Sequence, residues 1–150
     1  MKAIALACLL TLACGSRDHV YTIALADNAT AEQEALTVAT ANEWSSRVEG
    51  LSFRVARLGA YDASAIDTIW LTPVADQGKV AGHTVWGKGA PGSSQANVSV
   101  WSRDVLLHEL GHALELEHSD CGVMQPKVNP YRSAGLQPCD AAQYRAVWGK

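Results

Sequence analysis

The sequence predicts an α+β domain built on a twisted mixed sheet. Three observations predict it. Short β-branched and aromatic runs alternate apolar with polar residues, as half-buried strands do. Two longer segments carry helical spacing and capping residues. The elements follow in the order strand, helix, several strands, helix, irregular turn, helix, which suits a sheet covered by helices rather than an all-α or all-β chain. The 150 residues suit one core and are too few for two.

His19–Asn28 (HVYTIALADN) reads as the first strand and ends in turn formers. Thr30 can cap the next segment, with Gln33 three residues later completing a capping box. Ala31–Val48 is rich in Ala, Leu and Glu and reads as a helix, with Leu36, Ala39, Trp44 and Val48 as its inner face and Gly50 at its end. Leu51–Gly59 alternates Leu51, Phe53 and Val55 with polar neighbours, a half-buried strand. Ile66–Val74 is a third strand, stopped by Pro73. Lys79–Gly87 is a weaker fourth, in which Gly82 signals a bulge or a close approach. A Gly-rich loop leads to Ala96–Ser102, a fifth strand through Val98 and Val100. Ser102 is placed to cap the second helix, Arg103–Leu116, whose first turn holds Asp104 and whose packing stripe is Leu107, Leu110 and Leu114. A short last helix spans Asp140–Trp148.

Net charge is -3, with 48% hydrophobic and 18% charged residues. That balance provides no basic field for nucleic acid or anionic lipid. Residues 1–13 stand apart from the domain: Lys2 gives a positive start and Ala3–Ala13 an unbroken apolar or small run, the pattern of an export signal. The run is short of the roughly 20 apolar residues that a membrane-spanning helix needs. The segment LTLAC resembles a bacterial lipobox. That resemblance implies cleavage before Cys14, a diacylglyceryl group on Cys14, a tether over 14–18 and a domain over 19–150. Membrane association is then through the lipid, with Gly15 favouring the outer membrane; plain secretion or a periplasmic location is the alternative. Cys8 leaves with the signal, so Cys121 and Cys139 remain in an oxidising compartment and are expected to pair. Two buried free thiols are the alternative. Zinc ligation by either is disfavoured, because neither sits in a Cys-x-x-Cys pair.

The chemistry lies in HELGHALELEH, His108–His118. Residues four apart on a helix share a face, about 6 Å apart along the axis, so His108 and His112 can hold one metal ion from one side. A catalytic zinc takes three protein ligands and leaves one position for water. His118 supplies a third nitrogen, and Glu109 is placed beside the open position to take a proton from the attacking water.

These residues resemble the metzincin clan of zinc endopeptidases, its matrixin-like branch in particular. His108, Glu109, His112 and His118 match four fixed places of the clan pattern H-E-x-x-H-x-x-G-x-x-H, and HSDCGVMQP resembles the Met-containing turn that follows, with Met124 as the Met. The specific resemblance covers Val105–Pro126. It implies a zincin-like fold with an active-site helix, a Met-turn and a C-terminal helix. It also implies bound Zn2+, a protein or peptide substrate, and an edge strand, either NVSVW or the preferred AGHTVWG, that pairs with an extended substrate. Two departures stand out. Glu115 replaces the clan's Gly, so the chain must either turn left-handed at Glu115, at a cost of about 1–2 kcal/mol, or run on and turn at Glu117. The gap from His118 to Met124 is also short. Asp120 is the substitute third ligand. Tyr131 could steady an oxyanion, although a surface role is preferred; Trp86 could line a substrate groove; His19 and His83 read as structural or exposed.

The expected function is a monomeric, exported zinc endopeptidase. The alternatives are a catalytically inactive zinc-containing binding lipoprotein of the same fold, and a hydrolase of non-peptide amides.

Overall fold

The computed structural model describes residues 19–57, 66–75, 81–86, 93–126 and 135–149. The segments expected as an export signal and a tether, with Cys14, and also Tyr131, lie outside the described residues. The elements run β1 (His19–Leu25), α1 (Ala31–Arg47), β2 (Leu51–Arg57), β3 (Thr68–Pro73), β4 (Gly82–Trp86), β5 (Ser94–Val98), α2 (Arg103–Ala113), a 3₁₀ turn (Gly122–Met124) and α3 (Pro138–Trp148).

The five strands form one sheet in the order β2-β1-β3-β5-β4. β1 pairs in parallel with β2 and β3, and β3 with β5; β4 is antiparallel to β5 and stands at the edge. The sheet is thus mixed. Alternation along the strands sends Tyr21, Ile23 and Leu25, Ile69 and Leu71, and Ala96 and Val98 to one face, where they join the core beneath α1 and α2. The two helices are tied by Trp44, whose indole N–H donates to the Leu107 carbonyl at 3.2 Å, and Trp44 is fully buried.

Thr30 caps α1 as expected: its hydroxyl accepts from Gln33 N, and the Gln33 side chain returns a bond to Thr30 N at 2.8 Å. The inner face of α1 differs from expectation. Thr37, Thr40, Ala41 and Trp44 are buried, while Ala39 is exposed and Leu36 only half-buried. Thr37 and Thr40 tolerate burial because their hydroxyls donate back to the carbonyls of Gln33 and Leu36 at 2.8 and 2.7 Å. β5 is displaced towards the N-terminus of its expected range. Ser99 N and Val100 N both donate to the Ala81 carbonyl, so the chain leaves the ladder after Val98 and bends towards α2. α3 begins two residues before Asp140, with Pro138 in its first turn, where a missing N–H is harmless.

α2 starts at the Ser102 cap, as read from sequence, and Leu107, Leu110 and Leu114 are fully buried. It stops at Ala113, short of the expected Leu116. Glu115 adopts φ 65°, so the left-handed turn falls there and not at Glu117. Leu116 N donates to the Gly111 carbonyl at 3.0 Å and Glu115 N to the His112 carbonyl at 2.9 Å, the paired bonds of a Schellman cap. Glycine would adopt this conformation without the Cβ penalty. Glu115→Gly is therefore expected to raise stability by about 0.5–1 kcal/mol after the extra unfolded-state entropy of glycine is deducted. Urea unfolding reads this directly, and a lower midpoint for the variant would contradict it.

Candidate active site

His108 and His112 lie one turn apart on α2, and His118 returns to them after the left-handed bend. One ring nitrogen from each of the three lies within 4.8 Å of the others. His112 Nε2 and His118 Nε2 are 3.2 Å apart. A tetrahedral zinc held at about 2.0–2.1 Å would set its nitrogens about 3.3 Å apart, so this spacing fits a shared ion.

The backbone prepares two of these nitrogens. His108 Nδ1 lies 2.7 Å from the Val123 carbonyl, and His112 Nδ1 lies 2.8 Å from the Leu116 carbonyl. A carbonyl only accepts, so each Nδ1 carries the proton and each Nε2 keeps its lone pair for a metal. The Leu116 carbonyl comes into place through the Glu115 turn, which therefore closes α2 and orients the His112 ring together. His108 is 7% exposed; burial pushes its pKa down to about 4, the Val123 bond opposes this, and the neighbouring His112 and His118 reinforce it. Burial likewise lowers His112. Burial thus favours the neutral form of both rings, the form that can bind a metal. Asp120 is exposed and is not part of the convergent set among the described residues.

Glu109 lines the same cavity as the histidines and packs against β4. It is 3% exposed, and burial raises its pKa, while a hydrogen bond from the Thr84 hydroxyl to Oε2 works against the rise. A Cβ on Gly82 would lie 2.5 Å from Glu109 Oε1 and 2.7 Å from Cδ and Cγ. The close approach that Gly82 signalled in the sequence is thus to the Glu109 carboxylate. Trp86, 46% exposed, donates its indole N–H to the His112 carbonyl and ties the edge strand to the end of α2. His83, Trp86, Glu117 and Pro126 join the three histidines and Glu109 around an open cavity of about 630 Å³.

The turn after His118 packs against α2 and α3. Ser119 N donates to the Met124 carbonyl at 2.9 Å, and Met124 is fully buried against Gly111, where a Cβ would meet its sulfur at 2.3 Å. Two devices fix this turn to α3. One is the Cys121–Cys139 disulfide. The other is Asp140, fully buried, whose carboxylate accepts from Val123 N at 3.1 Å and from Gln137 N at 2.8 Å. Sequence reading singled out neither Asp140 nor Thr84 for the site. Their partners lie 17 and 25 residues away, and no periodic pattern links them. His19 does not line this cleft and sits beside Tyr144 and Trp148.

The fold and site together define an α+β domain similar to a zinc protease, with a three-histidine cluster able to bind a metal. The structure is similar to that of high choriolytic enzyme 1, a hatching-enzyme zinc-protease from the medaka fish Oryzias latipes, with a TM-score of 0.56 and 12% identity over 87% of this chain and 89% of that one. No protein-family model matches the sequence, and no curated protein matches it.

Proposed function

We propose that this chain is a zinc-dependent endopeptidase of metzincin type, with Glu109 as general base. The observation that carries the reading is the convergence of His108, His112 and His118 at one side of an open cleft that also contains a buried, non-converging carboxylate. A purely structural metal site has no use for that carboxylate. The bound zinc would supply a Lewis acid that polarises the substrate carbonyl and acidifies water. The three histidines hold the ion through nitrogens whose tautomers the Val123 and Leu116 carbonyls select for His108 and His112. Glu109 takes the proton of the attacking water on a carboxylate oxygen and passes it to the leaving amine. Its raised pKa suits this exchange. β4, an edge strand beside the cleft, offers backbone groups to an extended peptide.

The test is cleavage profiling on a peptide library, before and after chelation and again after zinc is restored. Metal-dependent internal cleavage is the expected result. Stoichiometric zinc without cleavage of any peptide would replace the enzyme by the inactive binding protein. Within the ligand set, His118→Ala is expected to weaken zinc binding at least tenfold more than Asp120→Ala, measured by competition with a chelating dye. The reverse ranking would make Asp120 the third ligand.

The same reading places the domain outside the cytoplasm, held to a membrane by lipid on Cys14. The LTLAC segment and the disulfide support this. No helix among the described residues is long and apolar enough to cross a membrane. Cys14→Ser is expected to move the protein from the membrane to the soluble fraction of expressing cells. Equal partition of wild type and variant would remove the lipid anchor from the proposal.

A further inference from the structure

Glu109 follows a metal-ligand position on α2, and its side chain has three rotatable bonds. A general base needs its carboxylate in one place, so something outside the helix must fix it. β4 supplies two devices on one face, at positions two apart. Gly82 leaves the space: any Cβ there would overlap Oε1, Cδ and Cγ of Glu109. Thr84 supplies the tether through its hydroxyl.

That hydroxyl faces two acceptors of the same residue. Its Oγ1 lies 2.5 Å from Glu109 Oε2 and 3.3 Å from the Glu109 backbone carbonyl. A hydroxyl has one proton to donate. While Glu109 is ionised, the carboxylate is the stronger acceptor and holds the bond. Once Glu109 has taken a proton, Oε2 weakens as an acceptor and the backbone carbonyl remains as the second partner. The hydroxyl can thus follow the charge on Glu109 without losing its hydrogen bond.

We infer that Thr84 is the positioning residue for the general base: it anchors the Glu109 carboxylate through Oε2, while Oε1 is seated over Gly82. The inference rests on the proposed hydrolytic function and assigns to β4 a role in seating the base.

The test compares Thr84→Val, Thr84→Ser and Glu109→Gln in the zinc-loaded protein. Thr84→Val is expected to lower kcat on the order of 10–100-fold with little change in KM, a part of the 10²–10⁴-fold that a general base contributes. Thr84→Ser, which keeps the hydroxyl, should return kcat to near the wild-type value. A readout independent of turnover is calorimetric binding of acetohydroxamate, a zinc ligand that offers an acidic proton to a neighbouring carboxylate. Thr84→Val should bind it roughly tenfold more weakly, in line with loss of one charge-assisted hydrogen bond, with zinc stoichiometry and melting temperature unchanged. Wild-type kcat and acetohydroxamate affinity in Thr84→Val would overturn the inference, as would a defect that Thr84→Ser fails to rescue. Should Thr84→Val melt early, Thr84→Ala takes its place, with the same outcomes required. Full activity in Glu109→Gln would instead overturn the general-base reading itself; an inactive Glu109→Gln beside a normal Thr84→Val would sink the Thr84 role alone.

Discussion

Glu109→Ala is expected to keep the chain folded and zinc-loaded while lowering peptide hydrolysis on the order of 10²–10⁴-fold. The reasons are geometric. Glu109 is not one of the three residues whose ligand atoms converge, so the metal keeps its nitrogens. Its carboxylate is buried between α2 and β4, where burial disfavours the charged form, and truncation therefore removes a costly group rather than a stabilising one. The Thr84 hydroxyl left behind still has the backbone carbonyl of position 109 at 3.3 Å. What disappears is the acceptor for the proton of the attacking water. Metal analysis, thermal melting and kcat/KM on one peptide separate the cases. Undiminished turnover would contradict the base assignment, and loss of zinc would show that Glu109 holds the metal.

The second large effect is expected at Gly122, which does not itself line the cavity. Gly122 sits at φ 66°, and a Cβ there would lie 2.1 Å from Oδ2 and 2.3 Å from Oδ1 of Asp140. The Asp140 carboxylate cannot easily retreat, since it is fully buried and already accepts from Val123 N and Gln137 N. Val123 in turn holds His108 through its carbonyl. A methyl group at position 122 thus pushes on Asp140, then on Val123, then on His108. Left-handed strain of about 1–2 kcal/mol adds to a broken buried hydrogen bond of about 1–3 kcal/mol, so Gly122→Ala should lose about 3 kcal/mol. Zinc affinity should fall about 10–100-fold, the usual effect of disturbing a group that orients a histidine ligand. Urea unfolding of the metal-free protein and zinc competition measure the two separately. A wild-type midpoint together with wild-type affinity would show that the turn is not coupled to the metal site.

What was legible in the sequence follows from where each signal resides. His108, Glu109 and His112 could be placed because helical geometry relates neighbours in sequence, and the Ser102 and Thr30 caps could be placed for the same reason. The end of α2 was harder. Glu115 is a good helix former, and only the Schellman bonds at Leu116 and Glu115 stop the helix at Ala113. β5 was displaced because Val98 and Val100 alternate as a strand would, yet the Ala81 carbonyl captures Ser99 and Val100. The inner face of α1 was misplaced because threonine reads as polar until its hydroxyl finds a carbonyl within its own helix. The groups that orient the histidines could not be read at all. Val123 and Leu116 act through backbone carbonyls, which any residue type supplies. Asp140 and Thr84 reach the site only through the packing of α3 and β4.

The most direct measurement is zinc K-edge absorption spectroscopy on the loaded chain, with the His118→Ala variant beside it. The expected spectrum has three imidazole nitrogens at about 2.0–2.1 Å and one exchangeable oxygen, with one imidazole lost in the variant. A fourth imidazole, a sulfur ligand, or an unchanged spectrum in His118→Ala would contradict an open three-histidine site beside Glu109.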